Sequence, residues 1–206
     1  MDTEILSLSD YARTLPSQGG VEIGAWLEKY ASQCPKGSAI VEVGCWLGAG
    51  TAHLALGSMY SGAPVHAYDR WMATEQEVAK AERFGVDLWP GQDTLPLVMK
   101  NLDRFDTEIH YHKGSIKSMA WKEQPIGLYV DDATKIEPLW LHAMEVFRPH
   151  FIPRETYLIL MDYNFDEKAG EKYAAQKRYM QQHASEYALI EDRLSDTSAA
   201  LFRYLG

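Results

Sequence analysis

"IVEVGCWLGAGT", residues 40–51, decides how this chain is read. It opens on an apolar run that admits one carboxylate, Glu42, and closes in a loop carrying Gly44, Gly48 and Gly50. A near-continuous apolar stretch over 39–44 is the pattern of a strand covered on both faces in a parallel sheet. Glycines directly after such a strand let the backbone turn tightly and approach a ligand. A pyrophosphate cradle would favour helix-end amides and basic groups, so a carboxylate beside the loop points instead to a cationic or hydroxyl-rich ligand.

Working outward, residues 21–32 place Ile23, Trp26, Leu27 and Tyr30 at helical spacing and predict an amphipathic helix before the first strand. A helix is expected from about Gly50. "APVHAYD" (63–69) reads as a second strand ending at Asp69, "EIHYHKG" (108–114) as a third, "PIGLYVDD" (125–132) as a fourth and "TYLILMDY" (156–163) as a fifth, with a helix over 136–147 between the last two. The long connection after Asp69 holds two helical stretches separated by "WPGQD" (89–93), the length of a segment with its own structure or a lid. After a helix over about 167–184, "EYALIEDRLSDTSAALFRYL" (186–205) predicts two strands joined by a short turn, an antiparallel hairpin at the sheet edge. The expected fold is α/β: a doubly wound, mostly parallel seven-stranded sheet with a C-terminal hairpin. It is expected as one domain over 1–206, with a helical segment at 1–35 and an insertion or lid at 71–105.

The bulk numbers fit that plan. A chain of 206 residues suits one sizeable core, and 46% apolar with 24% charged residues is ordinary globular composition rather than that of a disordered or membrane protein. A net charge of −9 with no basic patch argues against a nucleic-acid partner, because phosphate binding rests on Lys and Arg. No stretch approaches a membrane span and the start lacks a secretory pattern, so a cytoplasmic location is expected. The two cysteines, Cys34 and Cys45, make neither a disulfide framework nor a zinc set. The expected partner is a small-molecule acceptor, with homo-oligomerisation open.

In an open parallel sheet, ligands bind beyond the carboxyl ends of the strands. The groups there are Glu42 with its loop, Asp69, Gly114 with Ser115, Asp131 with Asp132, and Asp162. A carboxylate closing the second strand suits a ribose diol, so the predicted ligand is a nucleoside bearing positive charge.

"VEVGCWLGAGT", "VHAYD", "HKGS" and "GLYVDD", in this order and spacing, resemble the motifs of class I S-adenosylmethionine-dependent methyltransferases. The resemblance covers roughly residues 38–204. It implies that Glu42, Gly44 and Gly48 line the amino-acid end of the cofactor, that Asp69 holds the ribose, that Gly114 and Ser115 lie near the adenine, and that Trp71 flanks the adenine ring or packs under the insertion. "YVDDATK" and "LMDYNF" are similar to the magnesium-dependent small-molecule O-methyltransferases of the catechol and macrolide-sugar types. That likeness implies Mg2+ at Asp131 and Asp162, with Asp131 otherwise under the sulfonium and Asp132 or Tyr163 orienting the acceptor. The chain departs from the pattern in two places: Asp162 is followed by Tyr163 and Asn164, and the position expected for a base is Thr134, with Lys135, the candidate base, one step further on.

His110 and His112 share a strand face, the geometry of a metal pair, but without an evident third ligand they read as a solvated edge. His53 and His142 read as helix packing or surface, and His66 has no obvious partner. Tyr173 and Lys177, with the glycine loop, mimic an NAD(P)-dependent short-chain dehydrogenase. The serine such an enzyme needs upstream is absent, and helix spacing explains the pair more simply. A non-catalytic S-adenosylmethionine-binding regulatory domain is the other alternative. The expected reaction is methyl transfer to a hydroxyl of a small molecule, a sugar or secondary metabolite.

Overall fold

The computed structural model describes residues 6–20 and 22–206; residues 1–5 and Val21, part of the expected N-terminal segment and of its amphipathic helix, lie outside them. Seven strands form one sheet: β1 (Ala39–Val43), β2 (Val65–Asp69), β3 (Ile109–Lys113), β4 (Ile126–Asp131), β5 (Tyr157–Leu160), β6 (Tyr187–Glu191) and β7 (Ala200–Tyr204). Their order is β3-β2-β1-β4-β5-β7-β6, parallel through β5, with β7 antiparallel to both neighbours. The predicted doubly wound sheet and terminal hairpin are therefore present. Strand order reverses between β1 and β4, so their carboxyl ends flank the crevice where such sheets bind ligands.

Period-two alternation divides the core. Ala39, Val41 and Val43 of β1 and Tyr129 of β4 face one layer with Trp140 and Phe147 of α6 (Glu137–Phe147). Ile40, Leu128 and Val130 face the other, against Ile23, Leu27 and Tyr30 of α2 (Glu22–Ser32) and Leu54 of α3 (Ala49–Ser61). A short helix α1 (Leu8–Thr14), capped by Ser7 accepting from the Asp10 amide at 3.1 Å, packs beside α3.

The connection from β2 to β3 contains α4 (Glu75–Glu82) and α5 (Leu95–Leu102), the two expected helical stretches. Thr74 and Glu77 form a reciprocal capping box at the start of α4. Two expectations are corrected. The helix over 167–184 is broken into α7 (Asp166–Ala169), a 3-10 turn at Glu171–Tyr173 and α8 (Ala175–Gln182), because Gly170 takes φ +95 and ends the first piece. Tyr173 and Lys177 thus do not share one helix; Lys177 pairs with Glu167 at 3.3 Å. The hairpin connection is also no short turn: it runs over 192–199, with Arg193, Ser195 and Asp196 in the left-handed region.

Helices α2 and α3 meet at glycine. A Cβ on Gly57 would overlap the Glu28 carbonyl and the Ala31 methyl, and one on Gly24 would enter the His53 ring. This close approach lays α2 along α3, with Leu27 beside Gly50 at the glycine loop and Ala31 at Gly57. Gly57→Ala gains helix propensity of about 1 kcal/mol, but its methyl meets backbone that cannot rotate away, and overpacking of this kind costs about 1–3 kcal/mol. The expected result is a net loss of stability, read as a lower denaturant midpoint at unchanged slope.

Candidate active site

The loop after β1 is held by Asp69. Its Oδ2 accepts the amides of Cys45 at 2.9 Å and Trp46 at 3.0 Å, and its Oδ1 accepts the Trp71 amide at 2.8 Å. Trp46 and Trp71 take φ +46 and +42, a strained region for bulky residues. A carboxylate offers about four lone-pair sites, so Oδ1 keeps one open for a further donor such as a ribose hydroxyl. Gly44, at φ +91, brings β1 against the end of β4: a Cβ there would stand 2.8 Å from that of Ala133 and 3.0 Å from the Asp132 carbonyl.

Glu42 is buried under this loop and accepts from Thr51 Oγ1 at 2.5 Å, while Gly50 leaves room for its other oxygen. Burial pushes its pKa up to about 7.

Two cavities open here. One, of about 280 Å³, is walled by Tyr68, Asp69, Gly114, Ser115, Ile116 and Met119, among others. The larger, of about 530 Å³, shares Tyr68, Asp69, Gly114, Ser115 and Ile116 with it. It extends past Gly44 and Trp46 to Asp132, Lys135 and Leu139 on one side and to Arg70, Glu77 and Lys80 on the other. Gln18 also lines it and accepts a hydrogen bond from Lys80, so the N-terminal segment and the insertion meet over the cleft. A small recess beside Glu42, lined by Gly44, Trp46, Gln18, His53 and Asp132, continues the space toward α2.

The structure separates the neighbouring aspartates. Asp131 shares the sheet face of Tyr129 and is fully buried. Its carboxylate accepts from Tyr129 Oη at 2.7 Å, from Thr134 Oγ1 at 2.7 Å and amide at 2.8 Å, from the Ala133 amide at 3.1 Å and from Gln176 Nε2 at 3.3 Å. It lines neither of these two cavities, and half-buried Asp132 faces the larger one instead. Burial, with Asp162 nearby, pushes the Asp132 pKa up to about 8. Lys135 Nζ lies 2.7 Å from Asp162 Oδ1 and 4.0 Å from Asp132 Oδ1. Burial opposes its charge, but Asp162 and Asp132 more than offset that and raise its pKa.

These residues do not fit the magnesium ion that the sequence likeness implies at Asp131 and Asp162. Asp131 has no oxygen left to give, and an ammonium already faces Asp162 where a divalent cation would have to stand. Nor does Lys135 fit a free base, since its neighbours hold the proton on. Trp71 is also displaced from the adenine-flanking position: it is buried among Val98, Leu102 and Phe105 under the insertion. Trp89, in the segment read as an insertion or lid, is 62% exposed and lines neither of the two cavities. Glu42, Gly44, Asp69, Gly114, Ser115, Asp132 and Lys135 do converge on the cleft, whereas Gly48 turns the loop into α3 and packs toward Val98. Sequence reasoning missed Trp46, Gln18, Lys80, Ile116 and Met119. Only Trp46, inside the glycine loop, carried a local signal.

No protein-family model and no curated protein matches the chain. Solved structures do. An S-adenosylhomocysteine-bound methyltransferase of Podospora anserina, PaMTH1, is similar at 10% identity and a TM-score of 0.61, over 97% of this chain and 86% of that one. A candidate caffeoyl-CoA O-methyltransferase of Staphylococcus aureus follows at 12% identity and 0.58, over 98% and 94%. A candidate rRNA methylase of Clostridium thermocellum shares 12% identity at 0.54, over 88% and 95%. At such identities the likeness is one of architecture, and that architecture is the Rossmann-like fold of the class I methyltransferases.

Proposed function

We propose that the chain is an S-adenosylmethionine-dependent methyltransferase that alkylates a hydroxyl of a small molecule without a metal ion. The observation that carries this reading is one cleft at the β1/β4 switch point, with Asp69 at a pocket of nucleoside size and Asp132 and Lys135 at its other end.

In this reading the adenosine lies between Tyr68, Ile116 and Met119, with a ribose hydroxyl on the open site of Asp69. The amino-acid end passes Gly44 toward Glu42, whose carboxylate accepts the ligand's ammonium. The sulfonium then lies beside Asp132. A cavity of about 530 Å³ is the size of a small-molecule site.

The acceptor is proposed to be an oxygen for an electrostatic reason. The Lys135 ammonium would repel a protonated amine but stabilises negative charge growing on a hydroxyl oxygen. The hydroxyl proton passes to Asp132, from which the adjacent sulfonium has displaced the proton that the free carboxyl holds. The oxygen attacks the methyl carbon as the carbon–sulfur bond breaks in line, leaving a methyl ether and a neutral thioether. Asp162, which lines neither large cavity, positions Lys135. The dehydrogenase alternative is not favoured, because Tyr173 and Lys177 line neither cavity.

Calorimetric titration with S-adenosylmethionine, followed by methyl transfer to a panel of hydroxyl acceptors with and without chelator, tests the reading. Turnover unaffected by chelator is expected; chelator-sensitive turnover would overturn the metal-free step, and cofactor binding with no turnover would favour the regulatory alternative. Asp69→Ala removes the acceptor for three amides and a ribose hydroxyl, and should weaken cofactor binding at least about tenfold. Lys135→Met should lower kcat by about 10²-fold or more while sparing cofactor affinity.

Affinity should also depend on pH. A cationic ligand favours ionised carboxylates, and Glu42 and Asp132 hold protons up to about pH 7 and 8. Binding therefore displaces protons and tightens as pH rises from about 6 to 8, above which the ligand's own ammonium begins to lose its charge. Titrations in buffers of different ionisation enthalpy read that release directly; a flat affinity across the window contradicts the placement.

A further inference from the structure

The face of the β2–β3 edge carries a histidine cluster that takes no part in the proposed transfer step, although His112 also reaches the wall of the smaller cavity. His66 on β2 lies opposite His110 on β3, while His112 stands one pleat further along the same face. The contact between His66 and His112 is diagonal: His66 Nδ1 meets His112 Nε2 at 3.0 Å. His66 is wholly buried, covered by the His110 ring stacked at 4.4 Å and by the edge of Trp121 at 4.7 Å. Its Nε2 makes no hydrogen bond and lies 3.5 Å from a carboxylate oxygen of Glu123. One ligating atom from each of His66, His112 and Glu123 lies within 4.8 Å of the other two.

We propose that His66, His112 and Glu123 form a binding site for one divalent transition-metal ion of the zinc type. Two imidazoles and a carboxylate are a borderline donor set that suits zinc rather than magnesium or calcium. Three protein ligands leave a fourth tetrahedral position for water. The half-exposed His112 and exposed Glu123 need only side-chain adjustment to bring their atoms to about 2.0–2.2 Å from a common ion. A buried ring nitrogen without a partner is costly in the metal-free chain, and an ion bound by the cluster offsets that cost. His110 is left out of the ligand set, because its Nε2 pairs with Glu108 at 2.9 Å on the solvent side.

The test is titration of chelator-stripped full-length protein with zinc chloride alone, by calorimetry and by competition with a metal indicator, and anomalous diffraction from zinc-soaked crystals. One ion per chain is expected, with its anomalous peak between His66 and His112. His112→Gln and Glu123→Gln, both at accessible positions, should each weaken binding at least about tenfold, and His110→Gln should not. Absence of saturable binding, a peak elsewhere, affinity unchanged in both His112→Gln and Glu123→Gln, or an equal loss in His110→Gln would each overturn the site. None of these readouts depends on methyl transfer.

Discussion

One carboxylate at the end of β2 holds the ligand-facing surface together. Asp69 takes three backbone amides from two segments, the loop after β1 and the start of the insertion, and keeps Trp46 and Trp71 in the left-handed region. Such conformations cost about 1–3 kcal/mol each and persist only when the surroundings impose them. The charge-assisted bonds to Asp69 supply that constraint. The same carboxylate lines both cavities of the cleft, so the group that shapes the loop also faces the open space.

The second constraint is the close approach of β1 and β4 at Gly44. With no Cβ between the strands, Asp132 lies close enough to Glu42 for their charges to interact. Burial then raises both pKa values toward neutrality. In the proposed reading, the cleft stores protons that a cationic ligand displaces, instead of presenting fixed negative charge to water. Lys135 completes the balance: it neutralises Asp162 and leaves Asp132 facing the open cavity.

Much of this was legible in the chain. The β/α alternation, the hairpin, the glycine loop and the carboxylates at strand ends follow from local periodicity and turn chemistry, and each reports on neighbours a few residues away. The break at Gly170 was not read: a glycine can end a helix, but that this one takes φ +95 and does so is decided by the structure. Gln18 and Lys80 carried no such signal, because each joins the cleft only when the N-terminal segment and α4 meet above it.

By itself, the amino-acid order determined which residues stand at the carboxyl ends of the strands, because a strand's end is set by where its own apolar run stops. The tertiary structure alone decided what those residues do. Asp131 and Asp132 are adjacent in the chain but project to opposite sheet faces, so Tyr129, Thr134 and Gln176 enclose one while the cavity receives the other. His66 and His112 are far apart in the chain and meet because two parallel strands pair in one register. Which face is covered, and which strands are neighbours, depends on packing across the whole sheet, and no local pattern encodes it.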